Sequence, residues 1–179
     1  PQRQIYDQAT TFLKEHGPNL AYVEETVPSD PEAGGTPPAA SLRALLADPE
    51  CARGNRMQQV KVLLETLQTQ VSERIEAELT QARETVAALK ARIEAMTEFG
   101  TLTGGQQEQI LRPFAVFNES IARQPLIAVI RDTLRRFEEN DYQRQLSQLT
   151  VWTQPAPKPD PGPGPGPSPQ PNPKPKPQP

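Results

Sequence analysis

The residues from which active sites are usually assembled are nearly missing from this sequence. In 179 residues there is one histidine, His16, one cysteine, Cys51, and one tryptophan, Trp152, and aromatics make up only 5%. A single cysteine excludes an internal disulfide framework. A single histidine leaves a histidine-based metal centre or a Ser-His-Asp relay without its parts. No G-x-x-x-x-G-K-[ST] phosphate loop, G-x-G-x-x-G turn, H-E-x-x-H pair or C-x-x-C pair occurs, so no catalytic, cofactor-binding or metal-ligating residue is expected, and no small-molecule ligand. No apolar run approaches the ~18 residues that a bilayer crossing requires. With no leader pattern at Pro1, the chain is expected to be cytoplasmic and to belong to a longer protein.

Excess positive charge is also lacking. The net charge is −3, and because Lys158, Lys174 and Lys176 against Asp160 give the C-terminal tail +2, residues 1 to 154 carry −5, from 16 basic and 21 acidic side chains. That balance argues against direct nucleic-acid binding. Arg131, Arg135 and Arg136 form the densest basic group, but Asp132, Glu138 and Glu139 lie three or four residues from Arg135 and Arg136, where they match them on one helix. Cys51 lies in a loop near Arg53 and Arg56, without a partner cysteine or histidine, and is expected to be packed or simply exposed rather than reactive. His16 is expected at a helix C-terminus, facing its dipole.

Proline, in contrast, is abundant and unevenly placed: 13 of the 22 prolines occupy every odd position from Pro155 to Pro179. Residues 154 to 179 therefore read as a disordered, extended linker of up to ~75 Å at ~3.1 Å per residue. Because no two of these prolines are three apart, P-x-x-P cannot occur there, which removes the usual SH3 ligand.

The body is rich in Gln, Glu, Arg, Ala and Leu, a composition of long helices that excludes an all-β fold. Residues 1 to 54 read as short helices: one over 3 to 16 stopped by Gly17 and Pro18, a turn or two capped by Asn19, a Pro/Gly-rich loop over 27 to 40, and a helix from Leu42 to Ala47 capped by Ser41 and ended before Pro49. From Asn55 to Phe99 there is neither proline nor glycine. Apolar residues recur there as Val60, Leu64, Leu67, Val71, Ile75, Leu79, Ala82, Val86, Leu89, Ile93 and Met96, ten steps over 36 residues, the period of one helical stripe. Gly100 is expected to end this helix, and Thr103-Gly104-Gly105-Gln106 has the capping-box form that opens the next.

A return so short implies antiparallel helices, so the expected fold is all-α: a long coiled-coil-like helical hairpin over 55 to 153 with short flanking helices. Its return arm, about 104 to 150, is expected in pieces, kinked at Pro113, restarted with Pro125 at N1, and capped a last time by Asp141. The pairing seam is Val60, Leu64, Leu67, Val71, Ile75, Leu79, Val86, Leu89 and Ile93 on the long helix, with Ile130, Leu134 and Phe137 on the return arm. The partners expected of it are other protein subunits or a second copy.

Two stretches carry a family resemblance. Leu42-Arg43-Ala44-Leu45-Leu46-Ala47-Asp48-Pro49-Glu50-Cys51 followed by Gly54-Asn55-Arg56-Met57-Gln58-Gln59-Val60-Lys61, and Leu126-Ile127-Ala128-Val129-Ile130-Arg131-Asp132 with Phe137-Glu138-Glu139-Asn140-Asp141-Tyr142, resemble the region after the ATPase portion of the BrxC family, the large P-loop proteins of BREX bacteriophage-exclusion systems. The resemblance spans roughly residues 1 to 153. It implies an ATP-binding parent whose nucleotide site lies upstream, and none of that site's residues has a counterpart here. The function it implies is a non-catalytic interaction and spacer region. A generic scaffolding coiled coil and a periplasm-spanning, proline-rich energy-transducing linker are the alternatives.

Overall fold

The computed structural model describes residues 2–26, 35–51 and 55–171, and these residues form helices and no strand. The order is α1 (Gln2–Thr26), α2 (Pro38–Ala47), α3 (Arg56–Glu94), α4 (Thr97–Gly100), α5 (Gly104–Ile121), α6 (Ile127–Arg136), a π-helical segment π1 (Phe137–Tyr142) and α7 (Gln143–Thr153). Residues 154 to 171 have no regular structure and are exposed. The rest of the linker expectation, 172 to 179, lies outside the described residues, as do 27 to 34 of the expected loop.

Helix α3, at 39 residues, is about 58 Å long at ~1.5 Å per residue, and α1, α2, α4, α5 and α6 pack along it. It is shorter than the sequence suggests. The chain leaves the helix at Met96, whose backbone is extended (φ −71, ψ 135), although nothing there forbids a helix. The break lets Phe99 and Leu102 turn back onto the core, where both are buried. Gly100 is the last residue of the short α4 and does not end α3. Thr103 does open α5 with the expected capping box: its hydroxyl accepts from the Gln106 N–H at 3.2 Å and its own N–H donates to the Gln106 side chain at 3.0 Å.

The fold is all-α and built on one long helix, as expected, and the seam of α3 is buried by two different sets of helices. Leu79, Ala82, Val86, Leu89 and Ile93 pack with α4 to α7, while Val60, Leu64, Leu67 and Val71 pack with α1 and α2, leaving only the second half of α3 paired with the return arm. Ile75 touches both cores.

Helix α1 runs straight through Gly17 and Pro18, where the sequence suggests a stop. Pro18 removes one backbone bond at a cost of ~3 kcal/mol. Against this, Phe12, Leu20 and Val23 are all buried on the α3 side, each side chain contributing ~1.5–3 kcal/mol, so tertiary burial wins. His16 is therefore mid-helix, with its ring 5.0 Å from Phe12, not at a helix end. Pro38 stands at the first position of α2 and Ser41 lies inside that helix, donating its N–H to the Pro37 carbonyl at 3.0 Å, so the cap is one turn earlier than Ser41. Asp48 is extended before Pro49, as the proline requires.

The return arm is less broken than expected. Pro113 lies within an uninterrupted α5. Pro125 precedes the N-cap of α6, Leu126, and is not its first residue. Asp141 caps nothing, because α6, π1 and α7 are one continuous helical run. The apolar face explains the π turn: Ile130, Leu134, Phe137, Tyr142, Leu146, Leu149 and Trp152 all pack in or against one core, at steps of 4, 3, 5, 4, 3 and 3. An α-helix absorbs steps of three and four, and the single step of five requires one wider turn.

Candidate functional site: a polar junction between two cores

Where the two apolar cores meet beside Ile75, the chain places its buried polar groups. Glu78, one residue before the seam position Leu79, is 7% exposed, and Asn19 on α1 is fully buried. Both occupy places that helical spacing assigns to the apolar face. Glu78 lies three residues after Ile75, and Asn19 lies four before Val23.

Glu78 is held from two helices. The Arg131 guanidinium, from α6, donates through Nη2 to Oε1 at 2.8 Å and through Nε to Oε2 at 3.3 Å. Arg74, one turn earlier on α3, reaches Oε1 at 2.9 Å. Arg131 also lies 4.6 Å from the centre of the Tyr22 ring on α1, so one guanidinium ties three helices through a two-point ion pair and a cation–π contact. The hydrogen bond to Glu78 raises the pKa of Arg131 above its ordinary value, against some loss of solvation. The Nε of Arg74 is buried without a hydrogen-bond partner, so the arginine pair is not fully satisfied on the α3 side.

Asn19 performs a second tie. Helix α6 begins at Leu126 without a side-chain cap of its own. Asn19 supplies one from 108 residues away: its Oδ1 accepts from the Ile127 N–H at 2.9 Å, and its Nδ2 donates to the Pro125 carbonyl at 2.8 Å. The residue expected to cap a local turn thus caps a distant helix. Its amide nitrogen is also 3.5 Å from Nδ1 of His16.

The remaining basic residues behave as the sequence suggests. Arg135 pairs with Asp132 at 2.6 Å and Glu139 at 3.1 Å, and Arg136 with Asp132 at 2.9 Å. The hydrogen bond from Arg135 lowers the pKa of Asp132. Arg131 departs from the expectation by leaving its own helix for Glu78. The clue available in the sequence was an acidic residue at i+3 within an apolar stripe.

Of the residues singled out for the seam, Val60, Leu64, Leu67, Val71, Leu79, Val86, Leu89, Ile93, Ile130 and Phe137 are buried, and Ile75 and Leu134 are partly so. Cys51 is buried in the core formed with α1 and α2, and Arg56 pairs with Asp48. Arg53 lies outside the described residues. Among the described residues no three His, Cys, Asp or Glu side chains come together as metal ligands, and no helix is long and apolar enough to cross a membrane. The junction encloses about 180 Å³ between Glu78, Ala82, Ile130 and Arg131, and its chemistry is that of holding helices in register. No family model, curated protein or solved structure matches this chain.

Proposed function

We propose that this chain is a non-catalytic helical interaction and spacer region, acting in the cytoplasm within a BREX-type P-loop ATPase of the kind its sequence resembles. The observation that carries the reading is the use made of the buried polar groups. Glu78, Arg131, Tyr22 and Asn19 are committed to fixing α1, α3 and α6 against one another. What such a body offers outward is shape and surface, and the proline tail that leaves it at Gln154 sets a distance. Between Gln154 and Pro171 each residue before a proline is pushed toward extended backbone and each proline has its φ fixed, which makes an extended spacer loosened around Gly162, Gly164 and Gly166.

Two parts follow: contact, through self-association or another protein subunit, and reach, while nucleotide chemistry proceeds elsewhere in the parent. A scaffolding coiled coil is less well supported, since the α3 seam is already covered by helices of the same chain. Sedimentation of the chain, alone and with the other proteins of its system, tests contact, and a strictly monomeric chain that binds none of them would overturn it. Fluorescence anisotropy with labelled ATP and labelled duplex DNA tests the rest. Neither is expected to bind at physiological salt, and salt-sensitive DNA binding would overturn the reading.

A further inference from the structure

We propose that the trough between α5 and the run α6–π1–α7 is a docking groove for an acidic amphipathic helix of a partner protein. The proposal rests on the interaction reading above and assigns that interaction a surface. The groove measures about 620 Å³. Its floor is apolar, formed by Phe117 and Phe137, and Val116 beside them is 54% exposed, among the most exposed large apolar side chains of the body.

Three arginines rim it, Arg112 from α5, Arg136 from α6 and Arg144 from α7, against a single lining carboxylate, Asp141. Arg136 shares Asp132 with Arg135, Arg144 reaches Asp141 only at 3.8 Å, and Arg112 makes no ion pair among the described residues. On a body whose net charge is −5, this rim is a local reversal of sign, and charge complementarity selects an acidic occupant.

The spacing of the rim specifies the occupant further. Only residues 122 to 126 join α5 to the following run, so the two are antiparallel neighbours. Phe114 and Phe117 both meet Phe137, so Arg112 stands across the groove between the levels of Arg136 and Arg144. Arg136 lies eight residues before Arg144, ~12 Å along the axis at 1.5 Å per residue. A docked helix therefore meets the rim with carboxylates about two turns apart, and lays an apolar side chain between them on Val116 and Phe117. The π turn belongs to the same groove, because its wide turn supplies Asn140 and Asp141 to the wall while Phe137 stays in the core. Such turns are rare and occur frequently at functional sites.

The test uses a fluorescent 18-residue synthetic helix with Glu at positions seven apart flanking a Leu stripe, and its Gln and Lys counterparts, titrated with the full chain. The Glu peptide should bind saturably with a Kd of about 10 µM, the strength of a small transient interface, and the Gln peptide about tenfold more weakly. Arg112→Glu with Arg144→Glu changes only exposed side chains; it should leave the circular dichroism unchanged, abolish binding of the Glu peptide and gain binding of the Lys peptide. Val116→Asp should weaken the Glu peptide by about tenfold or more. Absence of saturable Glu-peptide binding, or equal binding by the charge-reversed variant, would overturn the groove. If association of the chain in sedimentation survives the reversal while the peptide does not bind, the groove is wrong and the interaction reading stands; if the chain associates with nothing, that reading falls as well.

Discussion

The two cores strung along α3 are built from different materials. The one shared with α1 and α2 is almost wholly aliphatic, with Phe12 its single buried aromatic, whereas the one shared with α4 to α7 contains Phe99, Phe114, Phe117 and Phe137, with Tyr142 and Trp152 packed at its edge. In the second, the Phe137 ring lies 5.2 Å from Phe114 and 5.1 Å from Phe117, close enough for edge and tilted contacts worth ~0.5–1.5 kcal/mol beyond area burial. The second core also draws only on residues 75 to 152. The first must recruit α1 and α2 from separate stretches before α3, which carries a larger ordering cost and fewer large side chains to offset it. The expected hierarchy is that the first core opens before the second, with the Asn19 and Arg131 ties resisting the separation.

The comparison breaks most visibly under charge insertion. Leu67→Asp with Val71→Asp places two unpaired carboxylates at positions that are each 2% exposed and should cost upwards of ~5 kcal/mol. Amide exchange should then show α1 and α2 released while α5 to α7 remain protected. Unchanged thermal unfolding would show that this half of the seam is not a packing surface. On the other side, Phe137→Ala should cost ~3–5 kcal/mol and loosen π1 first, because the wide turn exists to keep that ring inside. Urea melts are the measure.

Asn19→Ala tests the connection. It strands the buried Ile127 N–H and takes a partner from the Pro125 carbonyl, at a cost of ~1–3 kcal/mol, and should uncouple exchange in α1 from exchange at the start of α6. Equal protection in both segments would show that the amide is dispensable. The smallest effect has the opposite sign. Gly17 lies inside α1 with open space where a side chain would begin, so Gly17→Ala should stabilise by ~0.5–1 kcal/mol, read as a rise in melting temperature.

These positions also show what sequence could reveal. The stripe from Val60 to Ile93 is visible because burial repeats at the helical period, and Thr103 with Gln106 is visible because a capping box is local. Pro18, Pro113, Gly17 and Ser41 mislead for one reason: the local cost of a poor helix residue is a few kcal/mol at most, and an apolar face packed on α3 outweighs it. The five-residue step from Phe137 to Tyr142 reads as a gap between two helices until the flanking residues are seen on one surface. The Glu78–Arg131 and Asn19–Ile127 contacts join residues 53 and 108 positions apart, and no spacing rule reaches that far.

The placement of Trp152 gives the protein an internal optical reporter. The only indole in the chain packs against the aromatic core, and the side of the molecule built on α1 and α2 has none. Tryptophan emission is therefore blind to half of the structure, while far-ultraviolet circular dichroism weighs every helix. Melted side by side, the two signals should part company, with ellipticity falling first and emission following.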